Sequence, residues 1–129
     1  MNRGCIMADV TVKKVSEIGF YEGPGAREGI TFRHAGADLG VESLGLNVLE
    51  LAAGCTAYPE HDHAGDGQEE VYVVLSGSGT LYAGGAEYAL EAGTIARVAA
   101  GVQRRWTTSE GVTIAAMGGT PGKAYEPRR

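Results

Sequence analysis

Two histidines one residue apart, His61 and His63, precede Glu70 and the hydrophobic run Val71-Tyr72-Val73-Val74-Leu75. In an extended chain alternate side chains share a face, so both imidazoles point one way and Asp62 the other. Joined by Glu70, they offer two nitrogens and one carboxylate oxygen. Such a set suits a borderline divalent cation and leaves coordination positions open for substrate or water. The segment from Glu60 to Glu70 is also strongly polar, and an acidic surface turn would read in the same way.

The spacing around these residues resembles the first motif of the cupin superfamily, G(X)5HXH(X)3,4E(X)6G, with Gly54, His61, His63, Glu70 and Gly77 in that order. Six residues separate Glu70 from Gly77, as in the family, whereas His63 to Glu70 and Gly54 to His61 are each longer than usual. Glu69 would shorten the loop. Glu70 is preferred because it keeps the spacing to Gly77 and shares a strand face with Tyr72 and Val74. The second motif, G(X)5PXG(X)2H(X)3N, is matched by Gly93 and Gly101, but Ala99 replaces Pro, Arg104 replaces the third histidine and Thr108 replaces Asn. A guanidinium cannot ligate a metal, and its fixed charge opposes a cation nearby. Arg104 is free in this reading either to pair with Glu70 or to receive a substrate carboxylate or phosphate.

The resemblance implies an all-β, double-stranded β-helix or jelly-roll barrel whose mouth holds His61, His63, Glu70 and Arg104. It covers about residues 44–117 of a single domain spanning residues 1–129, with strands from about 10 to 33 added before it and an extended tail over 118–129. The metal implied is Fe, Mn, Ni or Zn on His61, His63 and Glu70, with Arg104, Tyr72 and Trp106 in contact with a ligand. Three functions fit: a small metal-dependent enzyme of oxygenase or isomerase type, a metal-free module binding a carboxylate or sugar, and a structural or regulatory barrel that dimerises.

Composition agrees with a globular β protein. Of 129 residues, 43% are hydrophobic and 21% charged, which supports a sizeable core. Twenty-one glycines and four prolines, spread along the chain, punctuate many short segments. A net charge of −5 and a pI near 5.1 argue against nucleic acid or anionic membrane as a partner. The pairs Lys13-Lys14, Arg104-Arg105 and Arg128-Arg129 are too short to change this. No stretch has the ~20 apolar residues of a membrane helix, and the first nine residues lack the apolar core of a signal peptide, which predicts a cytoplasmic protein. Met7 offers an alternative start. Cys5 and Cys55 belong to no CxxC pair and read as free thiols.

Periodicity supplies the elements that must position the site. Strands are predicted over Val10–Val15, Gly29–Arg33, Leu44–Leu51, Glu70–Leu75, Thr80–Ala83, Glu87–Leu90, Thr94–Val98, Gln103–Thr108 and Val112–Met117. Ser76-Gly77-Ser78-Gly79 is predicted to turn the chain, and Leu44, Leu46 and Val48 to form one apolar face. Helix should be scarce. Tyr58, Tyr72, Trp106 and Met117 are expected inside the barrel, Asp62 and Asp66 in water, and His34 is a candidate replacement for the missing imidazole. Val71, Val73 and Leu75 form a second apolar face that needs cover, which predicts a homodimer.

Overall fold

The computed structural model describes residues 9–127, so Cys5, Met7 and the Arg128-Arg129 pair lie outside the described residues. Seven strands follow in chain order: β1 (Ile30–Arg33), β2 (Gly45–Leu51), β3 (Glu69–Ala83), β4 (Ala86–Glu91), β5 (Ile95–Val98), β6 (Arg104–Thr107) and β7 (Val112–Gly119). All pairings are antiparallel. The first half of β3 joins a sheet ordered β1-β2-β7-β3-β5, and its second half joins β4 and β6. One long strand thus serves both walls. Between them lies a core of Leu49, Leu51, Cys55, Tyr72, Val74, Leu81, Val98, Trp106, Val112, Ile114 and Ala116.

The continuity of β3 corrects the turn predicted at Ser76-Gly77-Ser78-Gly79. The ladder with β7 slips by one residue between Val74 and Ser76, and Gly77 adopts φ 73°, a left-handed value that glycine takes without strain. A β-carbon at Gly77 would stand 2.1 Å from the Gly111 carbonyl oxygen. The glycines that look like a hairpin therefore bend one strand from the first sheet to the second. The slip leaves Leu75 47% exposed.

Another expectation fails for packing reasons. Val10–Val15 forms no strand: Val10 and Val12 are 76% and 84% exposed, and a 3-10 turn occupies Val15–Glu17. The segment pairs with no strand among the described residues, and Thr11 Oγ1 instead donates to the Leu39 carbonyl (2.8 Å). In β2 the barrel interior takes Leu49 and Leu51, whereas Val48 and Leu46 face outward under Ile18, Ala35 and Val15. Of the predicted face, Leu46 and Val48 belong to a second, smaller core. Its cover includes the five-residue helix α1 (Ala35–Leu39), which ends at Gly40 in the left-handed region. Helix is otherwise confined to the 3-10 turn among the described residues, and no helix there is long and apolar enough to cross a membrane.

Candidate metal centre

The two histidines sit on an extended approach to the barrel rather than on a regular strand. His61 pairs with Arg104 in an isolated bridge, its amide donating to the Arg104 carbonyl (3.1 Å) and its carbonyl accepting from the Arg104 amide (2.9 Å). The His63 amide donates to the Ala100 carbonyl at 2.7 Å. These bonds supply the alternation that puts both rings on one side. The loop that follows is closed by Gly67 onto the His63 carbonyl (2.7 Å), and Thr120 Oγ1 anchors the Asp66 carbonyl (2.9 Å) from beyond β7.

Glu70 enters from the start of β3, where Glu70, Tyr72 and Val74 share the inner face. One ligand atom each from His61, His63 and Glu70 lies within 4.8 Å of the others. Metal bonds of about 2.0–2.2 Å span ligand atoms by up to about 4 Å, so the trio stands close to coordination spacing. Glu69 points away and pairs with Arg97. The carboxylate in the cluster is that of Glu70.

The far nitrogens of both rings are already engaged. His61 Nδ1 lies 3.0 Å from the Pro59 carbonyl, and His63 Nδ1 lies 3.3 Å from Asp66 Oδ2. A carbonyl only accepts, and an ionised carboxylate only accepts, so these contacts place the proton on Nδ1 and leave each Nε2 lone pair for a cation. Asp66 Oδ1 also accepts from the Gln68 amide, and that bond, ahead of the His63 ring, holds its carboxyl below the ordinary value. Asp66 is exposed, as expected, yet it also orients a histidine. The sequence carries that signal only as an aspartate three residues after His63.

Arg104 fills the position of the missing imidazole. It is fully buried, and each of its three nitrogens donates: Nη1 to Glu70 Oε1 (2.7 Å), Nη2 to the Ala99 carbonyl (3.0 Å) and Nε to the Val102 carbonyl (3.0 Å). Glu70 Oε1 also accepts from the Tyr72 hydroxyl at 2.5 Å, and His63 Nε2 stands 3.6 Å from the same oxygen. Tyr58 completes the network, its hydroxyl 3.5 Å from that of Tyr72. Burial pushes the Tyr58 phenol up to about 12, and burial followed by the neighbouring Tyr58 and Glu70 pushes Tyr72 well above the ordinary value. Both phenols therefore remain protonated donors at neutral pH.

Trp106, next inward on β6, is fully buried against Tyr72 with ring centroids 5.5 Å apart, and its Nε1 has no hydrogen-bond partner among the described residues. Thr108 uses its hydroxyl to donate to the Ser78 carbonyl (2.7 Å) and accept from the Gly111 amide (2.8 Å). His34 lies elsewhere, packed on Tyr21 and Phe32 at the start of α1, so it is no replacement ligand. Met117 is paired beside Val71 and Leu46 on the outer face, because Ile114 and Ala116 take the inward positions of β7. Cys55 is a buried free thiol of the core.

The cupin domain model matches residues 47–117, more than half of the chain and the stretch that carries both motifs. The chain belongs to the cupin family. Among solved structures it resembles a sugar phosphate isomerase of the cupin superfamily from Silicibacter pomeroyi, with TM-score 0.69 and 18% identity over 84% of this chain and 74% of that one. A predicted oxalate decarboxylase from Thermotoga maritima superposes with TM-score 0.67 and 19% identity over 84% and 97% of the two chains. An RmlC-like cupin from Shewanella frigidimarina gives TM-score 0.64 and 15% identity over 96% of each. At these identities the likeness establishes the cupin jelly-roll fold. No curated protein matches the chain in sequence.

Proposed function

We propose that this cupin binds a divalent transition metal, one of Fe, Mn, Ni or Zn, through His61, His63 and Glu70 and holds a small polar or anionic ligand beside it. The observation that carries this reading is the pre-oriented pair of imidazoles. Each has its Nδ1 against a protein acceptor, His63 Nε2 stands 3.6 Å from Glu70, and both rings lie in one cluster with that carboxylate. A bound metal would supply Lewis-acid or redox chemistry at the barrel mouth. The protein's own part is to fix the rings, shelter the site with Tyr58 and Tyr72, and keep those phenols as donors. Isomerase or oxygenase chemistry is the enzymatic form of this proposal.

Metal content measured on protein purified without an affinity tag tests it. A stoichiometric transition metal, lost in His61→Ala while the melting temperature holds, is expected. A wild type that neither retains nor takes up Ni or Zn removes the proposal and leaves a metal-free module, for which the internal Arg104–Glu70 pair is the supporting observation.

We also propose a homodimer built on the outer face of β3 and β5. Val71 and Val73 lie there half-buried, Leu75 is exposed, and Ile95, paired with Val73, is 68% exposed. Sedimentation equilibrium should give twice the chain mass, and Ile95→Lys should halve it.

A further inference from the structure

Arg104 stands where the cupin pattern has a metal ligand, and its geometry settles what it can and cannot touch. Its side chain is fully buried, and Nε, Nη1 and Nη2 are each committed to protein acceptors. Fully buried, the guanidinium presents no surface to an anion arriving at the mouth. What Arg104 does reach is Glu70, and it reaches one oxygen of it: Oε1 accepts from Arg104 and from Tyr72. His63 Nε2 stands 3.6 Å from that same oxygen, and the guanidinium matches the carboxylate's charge.

We infer that Arg104 is a positioning residue that exchanges a fourth metal ligand for a fixed charge, and so makes the centre depend on a small chelating oxyanion. The inference rests on the metal reading above. Two imidazoles are neutral, and the Glu70–Arg104 pair sums to zero, so a divalent ion bound there retains its double charge. In a four-ligand cupin pattern a carboxylate would offset part of it without a neighbouring guanidinium. Three protein ligands also leave more than one position vacant in a shell of five or six. A ligand with two oxygens and negative charge satisfies both needs, and a single-oxygen monoanion satisfies neither fully.

The acidic groups around the site do not reverse this sum. Asp66 meets His63 at Nδ1, the nitrogen turned away from the cluster, and is 49% exposed, so solvent screens it. Asp62 is turned to the Ala64 amide and the Gln103 side chain. Glu69 is engaged by Arg97. The cation and its ligand should thus bind cooperatively: each supplies charge that the other lacks, and linkage makes the effect mutual.

Cobalt(II) serves as the probe, because its visible absorption reports its coordination directly, and malonate and acetate serve as chelating and single-oxygen anions. In wild-type protein, malonate should tighten cobalt binding by about tenfold or more after correction for the cobalt–malonate complex in buffer, with acetate giving less than about threefold. The absorption band should shift on adding malonate. In Arg104→His, cobalt alone should bind about tenfold tighter, and the malonate effect should shrink as an imidazole fills a vacancy and the added charge is removed. Thermal melts establish that the variant folds, and if it does not, the wild-type contrast between malonate and acetate decides alone. Cobalt binding with equal or no response to the two anions overturns the inference and leaves the metal site standing. Cobalt binding in neither protein, or only in Arg104→His, overturns the metal site itself.

Discussion

The barrel interior has two ends that both contain fully buried side chains and are differently held. At the mouth, Arg104 and Tyr72 are fully buried, and their polar atoms are matched by Glu70, Tyr58 and two backbone carbonyls. Deeper in, Ile114, Val74, Leu81 and Val112 are buried with nothing to satisfy. Apolar burial stabilises by area removed from water, at about 25 cal/mol per Å². A buried ion pair roughly balances desolvation against attraction, so it is a poor way to gain stability and an expensive thing to break. The mouth therefore gains little stability from its ion pair, whereas the deep end supplies cohesion.

Breaking one partner at the mouth gives the largest expected effect. Glu70→Leu leaves the Arg104 guanidinium buried without its carboxylate, which should cost about 3–5 kcal/mol in urea denaturation. Removing both partners, Glu70→Leu with Arg104→Met, should recover most of that loss, because no charge is stranded. A double variant as unstable as the single one would show that Arg104 is held by its two backbone carbonyls and not by Glu70, and the contrast between the two ends would fail.

The deep end supplies the control. Ile114→Ala removes a fully buried side chain from β7 and should cost about 2–4 kcal/mol through lost transfer energy and a residual cavity. Its effect on metal affinity, measured by calorimetry with Ni, should be less than about threefold, since Ile114 is paired with Leu49 and Val74 in the apolar core. A larger loss would mean that the two ends are mechanically coupled.

How much of this was readable beforehand follows the same division. The histidines, Glu70 and the motif glycines identify the barrel because their spacing reflects strand alternation and turn geometry, which are local. The pairing of Arg104 with Glu70 was one of two open readings, since a sequence shows a charge but not which acceptors surround it. The sequence predicts a turn where one strand bends through Gly77, because glycines mark positive φ without saying whether the chain reverses or only slips by a residue. Asp66 is solvated, as its polar setting in the sequence predicts, and it also meets His63; that second role depends on a loop closure to which Thr120, far along the chain, contributes.

Trp106 lies where the two ends meet, and it gives the smallest and most ambiguous balance. Its ring belongs to the apolar core, yet its Nε1 is buried without an acceptor among the described residues. An unmatched buried donor costs about 1–3 kcal/mol, so Trp106→Phe removes a penalty while it also removes contact area and leaves a small void. The void costs a similar amount, and the net change in stability should stay within about 1 kcal/mol. Urea denaturation followed by circular dichroism measures it, since the variant loses the chain's only tryptophan as a fluorescence probe. A loss well beyond about 3 kcal/mol would mean that the indole N–H has a partner of its own, such as a trapped water. The polar network of the mouth would then extend one residue deeper along β6 than Arg104.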